Sequence, residues 1–268
     1  MSVLLQISDP HFGTERPQVV EALVALAQHE RPDLVVLSGD ITQRAQADQF
    51  RAARAFVDRL GAPFVAIPGN HDIPLFDVSA RLLWPYARQR AAFGADLEPV
   101  HASAGLLVVC VNTTRPWRHK NGAVSAAQVE RVAARLAGAT PVQLRIVVVH
   151  QPAAVARAQD AHDLLRGHAH ALRRWAQAGA DVVMGGHIHL PYVLEWRDAG
   201  RPLWVVQAGT AVSSRVRAGV PNSVNLLRWN GAGAREAVLE QWDCAADGGP
   251  FTRTAVTRLT PARGDVGH

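Results

Sequence analysis

Short, almost unbroken apolar runs punctuate this chain, and they limit its fold more than any other feature. Residues 4–7 (LLQI), 34–38 (LVVLS), 64–67 (FVAI), 106–111 (LLVVCV), 145–149 (RIVVV) and 181–184 (DVVM) are each four to six residues long. That is too short for a buried helix. The alternation of a strand with one wet face is also missing, so the runs read as strands covered on both sides. Such strands need crossover helices, and the chain supplies candidates. Residues 16–29 place Val19, Leu23 and Leu26 at helical spacing, and residues 45–60 do the same with Phe50, Ala53, Val57 and Leu60 before Gly61. Residues 79–93 read as a helix interrupted near Pro85, where proline removes a hydrogen bond. Ser125-Ala-Ala-Gln128 has the capping-box form and opens a helix to Leu136; residues 172–178 form another, closed by Gly179.

Beyond residue 181 the rhythm changes. Residues 193–196, 203–207, 222–229 and 237–242 are short strand-like runs with turn residues between them and no long helix. A β-rich second half packed on a βα first half gives an α/β fold with two sheets and helices outside. We expect a single domain over residues 1–260 and a frayed tail at 261–268. No apolar run reaches the length of a membrane span. The start of the chain reads as a first strand, not a signal peptide. Two distant cysteines, Cys110 and Cys244, make no disulfide framework and point to a reducing cytoplasm. The net charge is +5, but the arginines are dispersed, which argues against a nucleic-acid polymer as partner.

The chemistry sits where the runs end. The first ends in Asp9-Pro10-His11, the second in Gly39-Asp40, and the third in Gly69-Asn70-His71-Asp72. The run at 145–149 ends in His150, and that at 181–184 in Gly185-Gly186-His187-Ile188-His189. Each piece alone has an ordinary explanation as a turn. Five such endings in one chain do not, because in open α/β sheets ligands gather beyond the carboxyl ends of the strands. Two Asp, one Asn and several His with no thiolate suit Zn, Mn or Fe. The inventory is large enough for two ions sharing a carboxylate, the usual device for phosphoryl chemistry.

These five blocks, in order and spacing, resemble those of the calcineurin-like metallophosphoesterases over roughly residues 3–215. The resemblance implies a four-layer α/β/β/α sandwich, two mixed sheets flanked by helices, with a dinuclear site on the sheet rim. It implies one ion held by Asp9, His11, Asp40 and His189, and a second held by Asp40, Asn70, His150 and His187. Asp40 would bridge. His71 would face substrate, stabilising the transition state or protonating the leaving oxygen, and Asp72 would either orient His71 or cap the next turn. Block order and compact size resemble the bacterial class III cyclic-nucleotide phosphodiesterases and their glycerophosphodiesterase relatives. That implies a small phosphodiester substrate, cyclic nucleotides first, attacked in line by a hydroxide bridging two divalent ions (Mn2+, Fe2+/Fe3+ or Zn2+). Gln151 departs from the pattern, because many relatives carry a second His there.

Candidate substrate contacts are Gln43 and Arg44 after the bridging Asp40, and Arg215 with Arg217 after a Gly-Thr turn. Asn112, Arg115, Trp117, Arg118, His119 and Lys120 form a basic, aromatic loop that is either a substrate clamp or a solvated turn. A broad phosphomonoesterase, a glycerophosphodiesterase or nuclease, and a metal-free protein-binding scaffold are the competing readings. Self-association into a homo-oligomer stays open.

Overall fold

The computed structural model describes residues 1–118, 120–198, 200–231, 233–245 and 247–262. The early part of the chain alternates strand and helix as its apolar periodicity predicts: β1 (Ser2–Ile7), α1 (Pro17–Glu30), β2 (Leu34–Leu37), α2 (Ala47–Arg59) and β3 (Phe64–Ala66). Pro17 opens α1, where its missing N–H is no loss. The predicted helix at 79–93 is two short ones, α3 (Val78–Leu83) and α4 (Ala87–Phe93), broken at Trp84-Pro85. Then come β4 (Val100–Ala102), β5 (Leu106–Cys110), α5 (Ala126–Ala137) and β6 (Leu144–Val148). The Ser125–Gln128 capping box is formed at the start of α5. The chain continues through α6 (His168–Gln177), β7 (Val182–Gly185), β8 (Tyr192–Trp196), β9 (Leu203–Gln207), β10 (Ser223–Trp229), β11 (Ala237–Cys244) and β12 (Phe251–Leu259).

Two six-stranded mixed sheets result, ordered β12-β11-β10-β1-β2-β3 and β4-β5-β6-β7-β9-β8. Strands β1, β2 and β3 run parallel, as do β5, β6, β7 and β9. Three apolar layers hold four structural ones together. Leu23, Ala27, Ala53 and Phe56 of α1 and α2 pack on Leu5, Ile7, Val35 and Leu37 of the first sheet. Leu4, Leu34 and Val36 face Val108, Ile146, Val148, Val182 and Met184 between the sheets. Val129, Val132, Leu172 and Trp175 of α5 and α6 cover Val147, Val183 and Val205 on the far side. Strands buried on both faces are what the apolar runs require.

Gln6 ties the two sheets at the rim. Its side-chain amide donates to Gly185 O of β7 at 3.0 Å and to Ser38 Oγ after β2 at 3.2 Å. Thus the ends of strands from different sheets are brought to one place. At the tail, Pro261 is buried, and Ala262 O accepts from Arg201 at 3.0 Å; the remainder of the expected frayed segment, 263–268, lies outside the described residues.

Candidate active site

The turns after β1, β2, β3, β6 and β7 converge on one cluster. His11 Nε2 lies 3.1 Å from His189 Nε2 and 3.8 Å from both Asp9 Oδ1 and Asp40 Oδ2. His189 Nε2 is 3.3 Å from Asp9 Oδ1, and His150 Nε2 is 3.3 Å from Asp40 Oδ1. The His187 ring stands edge-on to His150, with centroids 5.1 Å apart. Among the described residues, three overlapping groups have ligand atoms mutually within 4.8 Å: Asp9, His11 and His189; His11, Asp40 and His71; and Asp40, His150 and His187. Asp40 therefore joins the two ends of the cluster.

Close approach of these turns depends on glycine. A Cβ on Gly186 would meet Ser8 Oγ and Asp9 Oδ2, and one on Gly69 would meet the backbone and carboxylate of Asp40. A layer of hydrogen bonds behind the cluster aims the side chains. Asp9 Oδ2 accepts from Ser8 Oγ at 2.6 Å and from His187 N at 2.9 Å, leaving Oδ1 toward the cluster. His150 Nδ1 lies 2.8 Å from Ser38 O, a carbonyl that only accepts, so the proton sits on Nδ1 and Nε2 faces inward.

Burial opposes charge on every one of these groups, and their mutual pairing decides the outcome. Burial raises the Asp9 carboxyl, but the adjacent His189 imidazole outweighs it and holds Asp9 at about 2. Asp40 is likewise desolvated, yet His150 and His71 keep it well below the usual range. Burial pushes His11 down to about 3. His150 is desolvated too, but Asp40 lifts it to about 9. Perturbation on this scale, concentrated at one rim, is typical of functional sites.

The test of fit to a cation is which buried atoms lack partners. Asp9 Oδ1, Asn70 Oδ1, His150 Nε2 and His187 Nε2 are buried with no hydrogen-bond partner. Four buried ligand atoms crowded at one spot with no hydrogen bond contradict the rule that buried polar groups are satisfied, unless a cation takes the place of the missing partners. The residues present fit metal ions.

A cavity of about 640 Å³ opens over the cluster, within the range of small-ligand sites. It is lined by Gln43, Arg44, His71 and Arg215, and by Lys120, Asp160, Asp163 and Arg217. His71 Nδ1 lies 2.9 Å from Gln43 O, so its proton is spent on a carbonyl and Nε2 is the working atom. Arg215 Nη1 donates to Gln43 Oε1 at 2.8 Å and to His71 Nε2 at 3.2 Å.

The expectations for residues 112–118 are corrected. Of the two roles expected of it, Asp72 caps the Asn70–Asp72 turn through Gly69 N and does not hydrogen-bond His71. Its carboxylate accepts from Ile41 N at 3.0 Å, Thr42 N at 2.7 Å, Thr42 Oγ1 at 2.8 Å and Gly69 N at 2.8 Å. It is a buried brace between two site turns, and burial together with the Asp40 charge lifts it to about 6. Asn112 and Arg115 lie in a separate cleft with Glu98 and Gln128, where Arg115 Nη2 donates to Gln128 Oε1 at 2.6 Å. Trp117 is 74% exposed, and neither it nor Arg118 lines the cavity; Arg118 O accepts from Arg81. His119 lies outside the described residues. Asp160 and Asp163 were not singled out from the sequence. They follow no strand, so the strand-end logic has no hold on them.

Residues 2–191 match the calcineurin-like phosphoesterase family, and the chain belongs to it. It is a metal-dependent phosphoester hydrolase of a family that uses two divalent metals. It is 30% identical over 223 residues to the cAMP/cGMP dual specificity phosphodiesterase of Mycobacterium tuberculosis, spanning 77% of this chain and 67% of that protein. A shorter stretch of 83 residues is 36% identical to the glycerophosphodiester phosphodiesterase GpdQ of Enterobacter lignolyticus, 26% of this chain and 29% of that one. In structure it is similar to a dimetal phosphatase from Danio rerio, with a TM-score of 0.71 over 97% of this chain and 99% of that one, at 14% identity, which shows the shared fold. Among the described residues no helix is long and apolar enough to cross a membrane.

Proposed function

We propose that this enzyme hydrolyses small phosphodiesters, with 3′,5′-cyclic nucleotides as the leading substrate class. The observation that carries the metal centre is the set of partnerless buried atoms at the cluster. In this reading Asp9, His11, Asp40 and His189 hold one ion, and Asp40, Asn70, His150 and His187 hold the other. An all-N/O donor set favours manganese, iron or zinc. When bound, such a pair lowers the pKa of water and neutralises phosphate oxygens.

The chain's own residues supply the rest. Arg215 and Arg44 offer guanidinium donors to the phosphate, and Gln43 Oε1 holds Arg215 in place. His71 presents Nε2 for proton exchange with the leaving sugar oxygen while Gln43 O keeps the ring from turning. Asp72 braces the turns that carry Asp40 and Asn70. The cavity size suits a nucleotide, and the relative named for cAMP and cGMP makes the cyclic diester the first choice. Two free, buried thiols favour a reducing, cytoplasmic setting.

The test is a substrate panel after chelation and Mn2+ restoration: cyclic AMP, glycerophosphoethanolamine, bis(p-nitrophenyl) phosphate and p-nitrophenyl phosphate. Cyclic AMP should turn over fastest. Turnover of the monoester alone would sink the diesterase reading, and preference for the glycerol diester would move the assignment to glycerophosphodiesters. His71→Ala should keep its metal content and lose about 10²–10⁴-fold in turnover, the usual share of an acid–base group.

A further inference from the structure

The cavity that His71 lines is also lined by the only lysine in the sequence; every other member of the 28 Lys and Arg residues is arginine. Lys120 is held there by construction. Its ammonium lies 2.6 Å from Asp163 Oδ1, and that same oxygen lies 3.8 Å from His187 Nε2. The three groups form a chain from ammonium to carboxylate to imidazole, ending at the cluster. Asp163 is buried, whereas the Lys120 side chain is 51% exposed at the cavity. Sinking a carboxylate into the protein costs several kcal/mol unless it is well paired. A solvated surface lysine would need no such partner.

The backbone around Lys120 is fixed from two directions. Lys120 O accepts from Gln151 Nε2 at 3.3 Å, and Gln151 Oε1 accepts from Thr113 Oγ1 at 2.6 Å. Gln151 follows His150 directly, so the departure from the family pattern at this position anchors the lysine turn to the metal cluster. Asn121 Nδ2 donates to His162 O at 3.2 Å, tying the lysine turn to the 3-10 turn Ala158–Asp163 that carries Asp163. On the other side, Arg217 pairs with Asp160 of the same turn at 2.9 Å. An ammonium has three donors, and one ion pair with Asp163 cannot occupy them all.

We propose that Lys120 is a substrate-binding residue, held by Asp163 so that its ammonium donates to a non-bridging oxygen of the phosphate bound beside His187. The anion is then gripped by two cavity residues, by Arg215 as a fork and by Lys120 as a compact point charge. Asp163 is the positioning residue. This rests on the enzyme being a phosphoester hydrolase and not on which ester it prefers.

A single lysine allows a direct test that needs no turnover. Metal-loaded enzyme is acetylated with an amine-selective active ester, and peptide masses follow Lys120 and the chain's α-amine separately. Inorganic phosphate at about ten times its competitive inhibition constant should slow Lys120 acetylation about tenfold and leave the α-amine unchanged. Lys120→Met should lower kcat/KM by about 10–100-fold at full metal content, the loss of one charge-assisted hydrogen bond. Lys120→Arg should recover part of it. Asp163→Asn should weaken phosphate protection of Lys120 while two metals stay bound. Acetylation of Lys120 at an undiminished rate under inhibiting phosphate would overturn the proposal. So would a Lys120→Met enzyme within about twofold of wild type, or one whose loss tracks missing metal.

Discussion

Five of the seven proposed metal ligands hold a backbone conformation that side chains avoid. Asp9, His11, Asp40, His187 and His189 have φ of 49°, 44°, 48°, 76° and 55°. Each costs on the order of 1 kcal/mol, and such residues cluster where function over-determines them. The His187-Ile188-His189 segment shows what the strain achieves. On a regular strand the two rings would share one face. In the left-handed turn His187 packs against His150 and His189 against His11, each pair with centroids 5.1 Å apart. The residue types and their order were legible in the sequence; the left-handed turns were not, because the enrichment of Asp and His at positive φ is too weak to fix particular positions. The same turn makes a prediction at Gly186, where a Cβ would meet Ser8 Oγ and Asp9 Oδ2. Gly186→Ala should displace the Asp9 carboxylate and cut activity at least about 100-fold, the scale expected of a roughly 1 Å misplacement. Metal analysis should find fewer than two ions per chain. Normal metal content with normal turnover would refute the packing argument.

At the scale of elements, the inner strands were visible because burial on both faces writes an unbroken apolar run. The edges were not. Strand β12 is exposed from Thr252 to Val256 and β4 is three residues long, so neither carries a hydrophobic pattern. Helix α3 buries no residue, and its periodicity merged with α4 across Pro85. An ionic cluster adds to the β11–β12 ladder at the outer edge. Glu240 on β11 is buried and accepts from Arg228 of β10 at 3.3 Å, Arg253 of β12 at 2.6 Å and Trp242 Nε1 at 3.1 Å. Burial raises its pKa, but the bonds from Arg228, Arg253 and Trp242 outweigh it and the net shift is downward. A carboxylate depressed in the folded state stabilises above its unfolded pKa of about 4.3 and loses that contribution as pH falls. Glu240→Gln should therefore cost about 1.5–3 kcal/mol at pH 7, and the gap to wild type should narrow below about pH 4.3. Urea melts at both pH values measure it. A gap independent of pH would mean that shape, not charge, holds the edge.

For the molecule as a whole, the rim is where folding and metal binding become one problem. The cluster draws on turns from both sheets, with Asp9 and Asp40 from one and His150, His187 and His189 from the other. It gathers buried carboxylates, buried imidazoles and partnerless acceptors that an apolar core would not tolerate. An ion that binds these groups only when both sheets are assembled stabilises the folded state by mass action, about 2.7 kcal/mol per site at 100 times its dissociation constant. Two such sites contribute about 5.4 kcal/mol, so chelation should lower the melting temperature by roughly 10–20 °C, given about 2–4 °C per kcal/mol for a chain near this size. Asp40→Ala discriminates between this account and a general effect of the chelator, because Asp40 joins the two ends of the cluster. That variant should bind neither ion, be inactive, and melt at the same temperature with and without chelator. If it still responds to chelation as the wild type does, the stabilising ions sit elsewhere and the rim is not the joint between the sheets.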